Sequence, residues 1–366
     1  MFSENNRISL RQLQALLILD LFGTAIITLP RTTAVAAGRD GWITVLIGSV
    51  IMALWALLLC SIGKKNPSKN IPQLLQLVVP TPIALVIAFG LVLKLLIGAG
   101  LELRVLCEMI GRTMLYHTPI WVTVASMLFV CTYVAIGGLE CRGRVAEILF
   151  VFVFLPLTIL LLLTISTANF HNLQPVLTHG AWDLGKGIGI TMLSFHGIEL
   201  ILLAFPYLKQ PQNTSKNVFG AILLISFFMT IVTILSLATF GEVSLQNKIF
   251  PVLQMMDRID FPGAFMERQD VFMLWFWVIS AFASVSATLF YTTVLFRDIF
   301  PNAIQRRRRW LFLSTPLVFI IAVLPSDMVQ TYRYLDWMKR YPGVFYVFII
   351  PLILWMASGR KGEASK

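Results

Sequence analysis

The chain has 366 residues, 57% hydrophobic and 13% charged, with a net charge of +11 and a mean hydropathy of +0.81. That balance excludes a water-soluble globular protein of this length and points to a polytopic membrane protein. The basic excess then reports membrane-flanking loops in contact with lipid headgroups, and nucleic acid is not an expected partner.

Uninterrupted apolar runs of bilayer length recur from end to end and predict ten spans, all helical because lipid leaves no water for unpaired backbone groups. They fall at about 10–36, 42–62, 82–110, 119–139, 145–168, 185–208, 217–240, 268–297, 310–326 and 342–358. No A-x-A-like cleavage site follows the first span, which is expected to stay as a signal anchor. No long soluble insertion interrupts the spans, so residues 1–366 read as one transmembrane domain with a short tail at 359–366. With the N-terminus cytoplasmic, the inner loops carry about twice as many Lys and Arg as the outer ones, Arg306–Arg309 above all. An even span number returns the C-terminus to the cytoplasm. The largest outer segment, Gly241–Glu267, contains Asn247–Met256, which reads as a short interfacial helix.

The midpoint near Asp183 leaves five spans on each side, at about 8–168 and 185–358. An odd number per half inverts the second half, which permits a 5+5 inverted repeat. Gly23-Thr24 interrupts the middle of span one, and Ser194-Phe195-His196-Gly197 interrupts span six. Paired breaks at corresponding positions mark a substrate site in such folds. A break at Gly23 would free the N–H groups of Thr24, Ala25 and Ile26 for a carboxylate, and carbonyls near Phe22 and His196 would suit an ammonium. Gly98-Ala99-Gly100 on span three and Ser284 and Thr288 on span eight are expected to wall the gap, with helix packing of small residues as the alternative. Intramembrane charges at Lys94, Glu102, Arg104 and Glu108, with Glu199 beyond the second break and Asp20 one turn before the first, are functional candidates or structural ion pairs. Arg104–Glu108 has i,i+4 spacing.

Cys60, Cys107, Cys131 and Cys141 form no C-x-x-C pair, and the four histidines lack metal-ligand spacing. No P-loop, G-x-S-x-G or dinucleotide fingerprint is present, so neither enzyme chemistry, a metal nor a cofactor is expected.

The motifs Ile8-Ser9-x-x-Gln12, Gly23, Thr28-Leu29-Pro30-Arg31, Gly41-Trp42-Ile43, Glu102–Met109, Gly137-Gly138, Leu173-Gln174-Pro175-Val176, Ser194-Phe195-x-Gly197-x-Glu199 and Phe265-Met266-Glu267-Arg268 occur in order along the chain. Together they resemble the spore germination receptor B-subunit family, similar in turn to the amino acid–polyamine–organocation transporters. The resemblance implies ten spans in the leucine-transporter fold, with helices one and six broken. It implies a germinant sensor of the spore inner membrane that binds L-alanine, another amino acid or a related nutrient. The implied partners are an A subunit and a C-subunit lipoprotein. By position, the family pocket would fall on Gly23, Gly98, His196, Ser284 and Thr288, beside Gly197. His196 and Thr288 depart from larger or more apolar family side chains. A proton-coupled amino-acid permease using Glu102 or Glu199 is the alternative reading, since fold does not fix function.

Overall fold

In the computed structural model, residues 7–256, 270–300 and 307–363 are described, and they are helical nearly throughout. The helices are α1 (Leu10–Ala37), α2 (Gly41–Lys65), α3 (Ile71–Leu75), α4 (Thr81–Thr113), α5 (Ile120–Thr164), α6 (Ala181–Ser194) and α7 (Leu200–Ala204). They continue with α8 (Thr214–Phe240), α9 (Glu242–Gln246), α10 (Pro251–Met256), α11 (Asp270–Ile299), α12 (Arg307–Val323), α13 (Met328–Met338) and α14 (Ile350–Glu363). Among the described residues, six helical stretches are long and apolar enough to cross a membrane. Helix α11 is the most central, with 78% of its apolar window buried, whereas the α5 stretch has 33%. Phe129, Tyr133, Phe152, Leu155 and Leu162 on α5 are exposed in the free chain, as a lipid-facing surface requires.

Local chemistry explains the helix limits. Ser9 and Gln12 of the Ile8-Ser9-x-x-Gln12 motif form a capping box: Gln12 N donates to Ser9 Oγ at 3.2 Å and Ser9 N to Gln12 Oε1 at 2.9 Å. Ile8, just before it, pairs with the end of the sixth hydrophobic segment, its N donating to the Tyr207 carbonyl at 2.8 Å. At 45 residues, α5 would extend about 67 Å if straight, more than twice a hydrocarbon core. Gly138, with φ +88°, breaks its direction where the sequence ends span four.

The junction of α1 and α2 is built around Asp40. Its fully buried carboxylate accepts N–H groups from Leu177, Thr178 and His179 at 2.6, 2.9 and 3.0 Å, fastening the middle loop to this end of the bundle. Asp40→Ala would strand those donors and is expected to cost about 3 kcal/mol, read as a lower unfolding midpoint in detergent. An unchanged midpoint would show that the loop is held by other contacts.

Three expectations are corrected. Helix α1 runs through Gly23 without a break. Gly23 serves close approach: a Cβ there would lie 3.0 Å from Ser280 Oγ and 3.2 Å from Glu102 Oε1. Around it, Phe22 packs on Phe154 and Phe276, and Ser280 Oγ donates to the Leu19 carbonyl at 3.1 Å. Close packing of a continuous helix therefore replaces the open backbone expected there. Second, the segment read as an interfacial helix is shorter, and Val252, Leu253 and Met255 of α10 are buried in the bundle because an apolar face is better covered by protein than left at an interface. Third, span ten begins earlier than its hydropathy indicates. Helix α13 continues through two π-helical segments, Lys339–Gly343 and Phe345–Ile349, into α14. Pro342 cannot donate its nitrogen to the regular ladder, and a π turn accommodates that gap.

Candidate ligand cavity

The second expected break is present. Between α6 and α7, residues 195–199 leave the helix, and Gly197 adopts φ +100°, a conformation open to glycine and strained for other residues. Glu199 closes the turn: its Oε2 accepts the Gly197 N–H at 3.0 Å, while Oε1 forms a buried ion pair with Lys94 Nζ. A freed backbone donor inside the bundle is thus satisfied by a side chain, as a low-dielectric interior demands.

Helix α4 faces this turn. Lys94, Gly98 and Glu102 recur at i,i+4 and lie on one side of it. Gly98 has open space where a Cβ would stand. From α11, Ser284 and Thr288 complete the wall, and Ser284 Oγ donates to Glu102 Oε2 at 2.7 Å. Asp20 of α1 and Leu335, Met338 and Lys339 from the α13 region close the remainder. The cavity is about 70 Å³, room for several waters or a small solute.

Of the residues singled out from sequence, Gly98, Glu102, His196, Gly197, Glu199, Ser284, Thr288 and Asp20 are brought together around this one cavity. Gly23 stands behind Glu102 and does not line it. Ala25 is buried within α1, away from the cavity. Thr24 is helical in its backbone, and its side chain lies outside the described residues, as do the Phe265–Arg268 motif and Arg306.

The charges are largely paired. Asp20 faces Arg142, whose Nη2 is 3.2 Å from Asp20 Oδ1 and donates to the Ala283 carbonyl at 3.1 Å; its Nε donates to Ser286 Oγ at 3.2 Å. Arg104–Glu108 is an ion pair at 3.3 Å, as its spacing predicts. Glu102 has no cation within 4 Å among the described residues, and its hydrogen bond is to Ser284. By sequence Arg142 counts among the inner-loop cations; in the structure it is 3% exposed, inside the bundle. The Lys94–Glu199 pairing and the place of Lys339 at the cavity are likewise not evident in the sequence. The i,i+4 recurrence of Lys94, Gly98 and Glu102 does set Lys94 on the cavity face of its helix; nothing local marks the burial of Arg142 or the place of Lys339.

A second, larger cavity of about 360 Å³ lies toward the Asp40 end, lined by Ile27, Arg31, Thr32, Val35, Tyr332 and neighbours. Leu335 and Lys339 line both cavities. Arg31 reaches α9, its Nε donating to the Gln246 carbonyl at 3.0 Å.

Fold and site define a helical membrane protein with a small cavity of mixed polar and apolar lining among its buried helices and a wider chamber beside it. A family model described as "Spore germination protein" matches residues 7–331, and the chain belongs to that family, bearing out the resemblance read from its motifs. It is similar to spore germination protein YndE of Bacillus subtilis (strain 168), 25% identical over 99% of this chain and 100% of that protein. Spore germination protein A2 of the same strain is 26% identical over 93% of this chain and 92% of its own length. Spore germination protein GerQB of Bacillus cereus is 24% identical, covering 94% of each chain.

Proposed function

We propose that this chain is the nutrient-sensing B subunit of a spore germination receptor, and that it binds a small amino acid or related nutrient in the 70 Å³ cavity. The observation that carries this reading is the meeting of a glycine-centred helix break with Gly98, Ser284 and Thr288 around a space lined by both polar and apolar groups. Membership of the family supports the germination role. Binding would favour one arrangement of the α6–α7 turn against α4 and α11, and a ligand shifts such an equilibrium only by its difference in affinity for the two states. An A subunit and a C-subunit lipoprotein are the partners that would receive the signal. The subunit works without cofactor or catalytic step, as a multi-pass protein of the spore inner membrane with both termini cytoplasmic.

The same proposal includes ten spans in two inverted halves, with span six broken and span one continuous. Helices α1 and α2, of 28 and 25 residues, are each long enough for a crossing and meet at the Gly38–Asp40 turn, and the 48-residue stretch that bends at Gly138 holds enough chain for two. The α6–α7 pair and α12 supply shorter crossings.

Gly98→Val tests the site. Because open space surrounds the missing Cβ, the larger side chain fills the cavity without displacing its neighbours. The variant is expected to accumulate normally in spore membranes and to need at least about 100-fold more germinant, the effect of two lost polar contacts. Unchanged potency would place the ligand elsewhere. A second reading, a proton-coupled permease, is favoured by the cation-free Glu102 carboxyl in the cavity wall. Saturable uptake of labelled amino acid by proteoliposomes containing this chain alone would establish it.

A further inference from the structure

Two side chains of opposite sign face the cavity without a partner of their own. Asp20 is taken by Arg142, and Lys94 by Glu199. Asp336, one of the acidic residues nearest Lys339, is paired with Arg340 at 3.4 Å and faces the larger cavity. That leaves Glu102, held by the Ser284 hydroxyl, and Lys339, which has neither ion pair nor hydrogen bond among the described residues. Both line the same cavity. Burying the Glu102 carboxylate with no cation at ion-pair distance is unfavourable, and a ligand that brings an ammonium to it and a carboxylate to the half-buried Lys339 satisfies both.

We infer that Lys339 binds the carboxylate of a zwitterionic amino acid whose ammonium is received by Glu102 and Ser284. This rests on the sensing function proposed above and adds the residue that selects for the carboxylate. It assigns the carboxylate to a lysine of the last span, where sequence reasoning had given it to backbone N–H groups after Gly23, which α1 keeps within a continuous helix. Lys339 is suited to a second part of the task. It lines both cavities, so a ligand crossing from the larger one meets the ammonium of Lys339 before reaching Glu102. An amine without a carboxylate leaves Lys339 unpaired and is discriminated against.

The test uses spores whose germination depends on this chain together with its cognate partner subunits, challenged with the twenty L-amino acids and their α-amides. In unaltered spores the most potent amino acid is expected to act at a concentration about 10- to 100-fold below its amide, the range for one charge-assisted contact. Lys339→Met is expected to raise the half-maximal concentration of the acid by a similar factor and to abolish the preference over the amide. Lys339→Arg, which keeps the charge, is expected to retain that preference. Equal potency of acid and amide in unaltered spores overturns the inference, and this comparison decides even where Lys339→Met fails to reach the membrane. A membrane-resident Lys339→Met chain with unchanged preference overturns it too. A response confined to sugars or nucleosides overturns the inference and leaves nutrient sensing intact. Germination that is unaltered when this chain is deleted, for every nutrient tried, overturns both.

Discussion

Lys94→Met is expected to destabilise the protein by about 3–5 kcal/mol, the cost of removing one partner from a buried ion pair. Both side chains are withdrawn from solvent, at 9% exposure for Lys94 and 1% for Glu199. The loss goes beyond the pair, because Glu199 also accepts the N–H of Gly197 and so holds the turn between α6 and α7. A carboxylate left without its cation would take up a proton or draw in water, and the turn would lose its anchor. Unfolding in detergent titrations should shift accordingly. Pairing the change with Glu199→Gln removes the stranded charge while keeping an oxygen for the Gly197 N–H, and should recover at least about half of the loss. A double variant no more stable than Lys94→Met would show that the cost comes from packing of the lysine stem.

Arg142→Met is the second large effect, again about 3–5 kcal/mol. The guanidinium ties three elements: Asp20 of α1, Ser286 and the Ala283 carbonyl of α11, from its own position on α5 just past the Gly138 bend. Asp20 also lines the ligand cavity, so freeing it adds a negative charge beside Glu102. Germinant potency should therefore change along with stability. Asp20→Asn in the same background is expected to restore stability more fully than potency, because the amide removes the lone charge without restoring the tie to α5. Full recovery of both readouts would confine Arg142 to neutralising Asp20. Comparing Arg142→Lys separates charge from geometry, since a lysine cannot present the planar fork that reaches Asp20, Ser286 and Ala283 together.

These two buried pairs hold the cavity from opposite sides, one at the α6–α7 turn and one at α1. They leave Glu102 and Lys339 as the cavity charges outside an ion pair among the described residues. Family membership is established over residues 7–331; Leu335, Met338 and Lys339 of the cavity wall lie beyond that range.

Much of this was readable from the residues alone. Membrane residence follows from apolar runs, because the free energy of placing a helix in lipid is close to a sum over its residues. The turn at Gly197 and the bend at Gly138 follow from glycine, and the start of α1 from the Ser9–Gln12 capping box, since these are local effects of backbone freedom and short-range hydrogen bonding. Helical spacing likewise put Lys94, Gly98 and Glu102, and Ser284 with Thr288, on common faces. Tertiary structure alone decided the rest. Gly23 reads in sequence as a break, yet glycine serves close approach as well, and only the arrival of Ser280 and Glu102 beside it selects the second. Arg142 reads as a loop cation until Asp20, 122 residues away, is brought to it. Lys339 reads as an outer-loop charge until the π turn carries α13 onward and sets it between two cavities. Which charge finds a partner and which is left for a ligand depends on helices packing across the bundle, and no local pattern encodes those distances.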